Sequence, residues 1–173
     1  AKPGDVVLTV DPENAFGSGD HETTRLVLRV LEERVSGGER VLDVGCGSGI
    51  LSIAALRLGA DSALAIDIEE DAVTVTRRNA EHNAAISGID VSTRNLTDID
   101  GTYDIVLANI ETRVLVHMPD DLRTRVHADG MLVLSGILRG ERDEILSAYE
   151  AMELETSLEE GEWLAFVFRP VAQ

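Results

Sequence analysis

The chain has 173 residues, and its 32 acidic and 15 basic side chains give a formal net charge of −17. This length suits one soluble domain that buries most of its surface, and no stretch approaches the ~18 consecutive apolar residues of a membrane helix. Because phosphate-backbone binding normally relies on clustered Lys and Arg, which the sequence lacks, neither nucleic acid nor a membrane is expected as a partner.

The basic residues are nearly all arginine, and Lys2 is the one lysine in the sequence. An acidic, lysine-poor composition indicates a high-salt cytoplasm, where carboxylates keep a protein hydrated; a GC-rich genome is the alternative explanation. The single cysteine, Cys46, cannot form an intramolecular disulfide, and the first residues lack the apolar core of a signal peptide. A reducing cytoplasm is therefore predicted, with Cys46 as a small packing residue rather than a nucleophile.

The periodicity of the sequence predicts helices that alternate with strands. Weak alternation over 6–10 predicts a short strand, and a loop follows over 11–20. The predicted helices span 21–35 with Asp20 as N-cap, 50–58, 69–83, 115–126 despite Pro119, and 141–149. The predicted core strands span 41–44, 63–66, 89–92, 103–108, 131–134, 154–158 and 163–168. This order predicts an α/β fold, a Rossmann-like doubly wound seven-stranded sheet that ends in a C-terminal antiparallel hairpin.

The most informative segment, 41–51, reads as a buried strand, a glycine-rich turn and the start of a helix. Its glycines, Gly45, Gly47 and Gly49, allow the backbone to approach a ligand beyond the end of the strand. Asp67 ends the next apolar strand, 18 positions after Gly49, close to the ~20 at which an acid binds ribose hydroxyls. This combination predicts a nucleotide-cofactor site; a tight turn without a ligand is the alternative.

The spacing of the turn distinguishes between cofactors. It reads G-x-G-x-G with Ile50 in the sixth position, so it departs from the dinucleotide pattern G-x-G-x-x-G and lacks the lysine of a phosphate loop. S-adenosylmethionine carries no phosphate and needs no basic group, and Asp43 suits its ammonium and sulfonium charges. The pattern therefore favours S-adenosyl-L-methionine, with S-adenosyl-L-homocysteine as product, and no metal.

Four blocks of the chain resemble the catalytic domain of the ribosomal protein L11 methyltransferase family. They are residues 11–26, which contain Phe-Gly-Ser-Gly-Asp-His-Glu-Thr-Thr, the glycine turn with Asp67, residues 106–110, and residues 135–138 with Glu162-Trp163. The first block is far more specific than the glycine turn, which a large superfamily shares. The resemblance covers nearly the whole chain and implies S-adenosylmethionine-dependent methylation of a lysine or an N-terminal amine.

The resemblance also implies roles for individual residues. Phe16, His21 and Thr24 would fold over the cofactor, Gly45 would lie under its methionine moiety, and Asp67 would hold the ribose. Thr23 and Thr24 lie at a helix start, where free N–H groups bind carboxylates, although simple capping is the alternative. The predicted cofactor-binding residues are Phe16, Gly17, Thr23, Thr24, Asp43, Gly45, Gly47, Gly49, Asp67, Ile68 and Asn109.

The predicted catalytic residues are Asn109, His21 and Glu111. Asn109 opens Asn-Ile-Glu-Thr where amino- and base-methylating relatives have Asn-Pro-Pro-Tyr, and the missing aromatic ring counts against a flipped nucleobase as substrate. Asn109 would orient an amine. Glu111 would bind a cationic amine or accept a proton; the alternative is that it is a solvated acid at a helix start. His21 has either a functional or a structural role. Trp163 either walls the substrate pocket or closes the sheet.

The family normally carries a separate N-terminal domain that grips the ribosomal protein, whereas this chain starts almost at the cofactor block. Either the sequence is part of a longer protein, or the enzyme stands alone with another acceptor. We expect one domain over residues 1–173, in which residues 1–35 form a segment and helix that cover the cofactor. Protein N-methylation is the leading function; a small-molecule methyltransferase or a non-catalytic cofactor-binding subunit are the alternatives.

Overall fold

The computed structural model describes residues 6–10, 19 and 21–171. The helices are α1 (Glu22–Arg34), α2 (Ile50–Leu58), α3 (Glu70–His82), α4 (Thr112–Leu115), α5 (Pro119–Arg123) and α6 (Arg142–Ala148). The strands are β1 (Arg40–Val44), β2 (Ser62–Ile66), β3 (Ile89–Ser92), β4 (Tyr103–Asn109), β5 (Val126–Leu138), β6 (Met152–Glu160) and β7 (Trp163–Pro170). Among the described helices, none has the length and apolar character needed to cross a membrane.

The described strands form one seven-stranded sheet in the order β3-β2-β1-β4-β5-β7-β6. The first five are parallel, and β7 runs antiparallel to both β5 and β6. The predicted α/β class, the doubly wound sheet and the closing hairpin are therefore confirmed. The strand order reverses between β1 and β4, and the crevice beyond their carboxyl ends is where open α/β sheets bind ligands.

Helices cover both faces of the sheet, which explains why the central strand β4 has four consecutive buried apolar residues, Ile105 to Ala108. Successive side chains of a strand point to opposite faces. In β4, Ile105 and Leu107 pack with the cluster beneath α1 and α2, whereas Val106 and Ala108 pack with the cluster beneath α4, α5 and α6. Both sets are buried, as expected for a parallel strand covered on two sides.

Two predictions about helices are wrong. The N-cap of α1 is His21 rather than Asp20, because the His21 side chain accepts a hydrogen bond from the backbone N–H of Thr23. The single helix predicted over 115–126 is two short helices, α4 and α5. Pro119 has no N–H with which to continue a helix, and it takes the first position of α5 instead.

Two predictions about strands also differ from the structure. Within the described ranges, residues 6–10 pair with no strand; Thr9 bonds instead to the side chain of Asn83 through its N–H and its carbonyl. The strand predicted over 131–134 is the middle of the much longer β5, which pairs with β4 from Val126 onward and with β7 to its end. Pairing with β4 and β7 therefore extends β5 beyond the apolar residues 131–134 from which the strand was predicted.

Candidate functional site

The glycine turn of residues 45–49 joins β1 to α2 at the point where the strand order reverses. Backbone N–H groups of Gly45 and Cys46 donate to the carbonyl of Ile66, at 2.8 and 3.1 Å, and attach the turn to the end of β2. Gly49 has φ +77°, and a Cβ there would lie 2.5 Å from Thr76 Cγ2. A side chain at this position would therefore collide with α3.

Gly49→Ala is expected to destabilise the fold more than a comparable glycine substitution elsewhere. Gly101 has φ +82°, but no described atom lies within 4 Å of a Cβ built there. Both alanines carry the cost of positive φ, whereas Gly49→Ala adds overpacking of about 1–3 kcal/mol. Urea unfolding of both variants measures the difference, and equal losses of unfolding free energy would show that the turn tolerates a side chain.

Asp67 lies between the glycine turn and the start of α3. Its Oδ2 accepts a hydrogen bond from the N–H of Gly47 at 2.9 Å, and its Oδ1 accepts one from the N–H of Glu69 at 3.0 Å. Each carboxylate oxygen has two lone pairs, so acceptor capacity remains for the hydroxyls of a ligand. The adjacent Ile68 is 80% exposed, an unusual state for a large apolar side chain beside a cavity.

Asp43 does not line the cavity, contrary to its predicted contact with the cofactor. It is buried beneath the turn, where the hydroxyl of Ser52 donates to its Oδ2 at 2.7 Å and ties β1 to α2. Burial raises the pKa of Asp43 to about 6; bonds from Ser52 oppose this rise, and the Asp67 carboxylate adds to it. The side chain at this strand position faces the helix rather than the crevice.

Asp43→Asn is expected to make unfolding less dependent on pH. The folded pKa of Asp43 lies above its ordinary value of 3.8, so the native state holds this proton more tightly than the unfolded chain. The wild type therefore loses stability as the pH rises from about 4 through 6, by roughly 3 kcal/mol for a shift of ~2 units. Urea unfolding measures the free energy of unfolding of both proteins at pH 4 and pH 7. Relative to wild type, the variant should be more stable at pH 7 than at pH 4, by about the amount that the wild type loses. The same stability difference at both pH values would contradict the burial argument.

The start of α1 brings three of the predicted residues to the cavity. His21 Nδ1 lies 2.9 Å from Thr23 Oγ1, and the His21 ring stands edge-on to Trp163 with 5.1 Å between centroids. Thr24 is buried, and its Oγ1 has no hydrogen-bond partner in the part of the chain that the structure describes. A buried hydroxyl in this state is costly, which indicates a group that a ligand completes.

The end of β4 forms the opposite wall. Asn109 Oδ1 is a second buried oxygen that finds no partner among the described residues. Glu111 is exposed and forms an ion pair with Arg113, and both line the cavity. The connection is fixed from behind, because the Thr112 hydroxyl donates to the Glu141 carboxylate at 2.7 Å. The backbone that follows Asn109 is therefore held in place.

These walls enclose a cavity of about 790 Å³, within the ~300–1,000 Å³ of small-molecule sites. It gathers the predicted residues His21, Thr23, Thr24, Gly45, Gly47, Asp67, Ile68, Asn109 and Glu111. Asp43 and Gly49 are not among its lining residues. Phe16 and Gly17 lie outside the described residues. Trp163 lines the cavity, as one of its two interpretations expected.

Sequence reasoning missed one side of the cavity. Residues 94–97, which follow β3, contribute to the lining, as do Val114, Met118 and Asp121 near α4 and α5. None of these residues belongs to a recognisable motif. The position of 94–97 carried a usable signal, because carboxyl ends of neighbouring parallel strands meet at one edge of the sheet.

Cys46 also borders the cavity but behaves as a packing residue. It is buried, and its Sγ lies 3.5 Å from Thr76 Oγ1. Burial raises the pKa of the Cys46 thiol well above its ordinary value, so the nucleophilic thiolate is disfavoured.

Parallel strands in this order, a closing hairpin and a glycine turn beside the switch point define the Rossmann-like methyltransferase class of fold. A solved ribosomal protein L11 methylase from Lactobacillus delbrueckii subsp. bulgaricus superimposes with a TM-score of 0.86 at 33% identity, covering 94% of this chain and 84% of that one. The family model described as ribosomal protein L11 methyltransferase (PrmA) matches residues 1–170. The chain therefore belongs to the ribosomal protein L11 methyltransferase family, as its motifs predicted.

Two curated relatives show how much of a family member the chain represents. It is 45% identical to the ribosomal protein L11 methyltransferase of Pelobacter propionicus, covering 99% of this chain and 58% of that protein. It is also 45% identical to that of Geobacter sulfurreducens, covering 97% and 56%. The chain thus spans somewhat more than half the length of these relatives.

Proposed function

We propose that this chain is the catalytic domain of an S-adenosylmethionine-dependent methyltransferase that methylates a lysine or N-terminal amine of a protein. Its relatives are named as methyltransferases of ribosomal protein L11. The observation that carries the proposal is the cavity at the switch point, which Thr24, Asp67 and Asn109 line together. Thr24 and Asn109 each have a buried side-chain oxygen without a partner among the described residues. One domain over residues 1–173, a ribosomal acceptor and a cytoplasmic location belong to the same proposal.

The residues of the cavity fit the cofactor. Asp67 would accept hydrogen bonds from the ribose hydroxyls, and the exposed Ile68 would cover the adenine. The Thr24 hydroxyl would bind the methionine carboxylate, whereas the N–H groups of Thr23 and Thr24 already donate to the side chain and the carbonyl of His21. When bound, S-adenosylmethionine supplies a methyl group on a positively charged sulfur, with a neutral thioether as leaving group.

Asn109 would act on the acceptor amine. Its buried Oδ1 would accept a hydrogen bond from the amine and fix its orientation, and alignment is the main contribution an enzyme makes to such a displacement. A free lysine has a pKa of ~10.4, so the amine must lose a proton before it reacts. Glu111 at the cavity mouth would attract the cationic amine and pass this proton to water, although its ion pair with Arg113 has to open first.

Transfer of a tritium-labelled methyl group tests the proposal directly. The purified protein and labelled cofactor are incubated with ribosomal proteins and, separately, with the small-molecule fraction of the same cells. We expect label in a protein, with mass spectrometry locating methyl groups on lysine or an N-terminal amine, and Asn109→Ala as the control that transfers little. Label confined to the small-molecule fraction would contradict the protein acceptor, and no transfer despite bound cofactor would contradict catalysis.

A further inference from the structure

Ile110, the residue after β4, lies between two glycines, and all three residues line the cavity. A Cβ built on Gly45 would lie 2.6 Å from Ile110 Cγ2, and a Cβ built on Gly136 would lie 2.5 Å from the Ile110 carbonyl oxygen. The Cβ on Gly136 would also lie 2.9 Å from the carbonyl carbon of Ile110 and 3.2 Å from its nitrogen. The side chain of Ile110 therefore packs on the glycine turn, and its backbone packs on β5.

The part of β5 that contains Gly136 is anchored on both of its sides. Ser135 pairs with Asn109 of β4. The buried hydroxyl of Ser135 donates towards the carbonyl oxygens of Thr23 in α1 and Leu164 in β7, each at 3.2 Å. The register of β5 against β7 shifts just after Ser135, where Gly136 adopts φ +84°. A side chain at Gly136 would therefore displace the backbone after β4 rather than β5.

Such a displacement bears on Asn109, because Ile110 directly follows it in the chain. Contacts between a carbon and a backbone carbonyl oxygen lie at ~3.3–3.6 Å, so a Cβ on Gly136 would move the Ile110 carbonyl by roughly 1 Å from its present place. A misplacement of ~1 Å can cost about 100-fold in rate when alignment is the main source of catalysis. The close packing of Ile110 on Gly136 thus controls where the Asn109 side chain stands.

We propose that Gly136 and Ile110 are positioning residues for the acceptor amine. Gly136 fixes the backbone of Ile110, the contact of Ile110 Cγ2 with Gly45 fixes its distance from the glycine turn, and Asn109 takes its place from both. The proposal rests on the function proposed above and deepens it. A purely structural role would lower stability and leave the turnover of the folded protein unchanged, so the two roles are separable.

The first test compares Gly136→Ala with Gly130→Ala. A Cβ on Gly130 would also meet the backbone of β4, 2.8 Å from the carbonyl oxygen of Asp104, but Gly130 is not a lining residue of the cavity. Urea unfolding identifies conditions in which both variants are folded, and turnover is measured as labelled methyl transfer to ribosomal proteins at saturating cofactor. We expect Gly136→Ala to lose about 100-fold in turnover and less than a few-fold in S-adenosylhomocysteine affinity. Gly130→Ala should keep both, and equal turnover in the two variants would overturn the proposal.

The second test uses two substitutions of Ile110, which packs at the edge of the core cluster beneath α4, α5 and α6. Ile110→Val loses one carbon but keeps the Cγ2 methyl that faces Gly45. Ile110→Leu keeps the number of carbons but loses the branch at Cβ. We expect Ile110→Leu to transfer methyl groups at least ~10-fold more slowly than Ile110→Val. A role in core packing alone predicts the opposite order, and that order or equal rates would overturn the proposal, also if Gly136→Ala does not fold.

A double variant tests whether Gly136 acts through Asn109. In an Asn109→Ala background the side chain to be positioned is absent, so Gly136→Ala should lower turnover by less than ~3-fold more. Losses that multiply in the double variant would overturn the proposal. A folded wild type that transfers no methyl group would instead contradict the proposed function.

Discussion

Replacing Asp67 by alanine is expected to weaken S-adenosylhomocysteine binding by ~1–3 kcal/mol, roughly 5- to 150-fold. The ribose hydroxyls lose their charged acceptor. The N–H groups of Gly47 and Glu69, which Asp67 now holds at 2.9 and 3.0 Å, lose theirs as well. Isothermal titration calorimetry measures the change, with circular dichroism confirming that the variant is folded.

The control for Asp67→Ala has to distinguish the loss of a contact with the ribose from the loss of one negative charge, because the chain carries a net charge of −17. Glu33→Ala removes one negative charge from an exposed position near the end of α1, remote from the cavity. It should leave the affinity unchanged. If Asp67→Ala binds as tightly as Glu33→Ala, the ribose assignment of Asp67 is wrong.

Asn109→Ala is expected to lower the turnover number at least ~100-fold while changing S-adenosylhomocysteine affinity by less than a few-fold. In the proposed mechanism the Oδ1 of Asn109 binds the acceptor amine rather than the cofactor, so its removal is expected to affect alignment more than cofactor binding. Asn109→Asp keeps an acceptor oxygen at the same place and should recover part of the rate.

Steady-state kinetics and calorimetry together distinguish the outcomes for Asn109→Ala. A parallel loss of affinity and turnover would make Asn109 a cofactor-binding residue, in line with the second role predicted for it. Unchanged turnover would remove it from the mechanism altogether, and the amine would then have to be oriented by another group of the cavity, such as the Glu111 carboxylate.

Elements delimited by glycine were predictable from the sequence. The helix predicted over 50–58 is α2 to the residue, because Gly49 and Gly59, both at positive φ, begin and end it. The strand predicted over 103–108 falls within β4 (Tyr103–Asn109), because the apolar residues 105–108 fit a strand that is buried on two faces. The position of Asp67 beside the glycine turn was predictable in the same way, from its spacing after Gly49, and its role as ribose acceptor stays a prediction.

Features that depend on packing between distant segments were not predictable. Asp43 ends an apolar strand, and nothing local indicates that Ser52 rather than a ligand takes its carboxylate. Asn79 and Asn83 look like solvated helix residues until the packing of α3 buries them. Pro119 did signal a break in its helix, but the remaining periodicity outweighed it in the prediction.

The most direct test is calorimetric titration of the wild-type protein with S-adenosylhomocysteine at low and at high salt. Both conditions matter because added salt screens repulsion among 32 acidic side chains. We predict saturable heat with one ligand bound per chain, across the bend at Gly45 to Gly49 and against the carboxylate of Asp67. The absence of heat at either salt concentration, with the methyl donor as well as with its demethylated product, would contradict a cofactor site in this crevice.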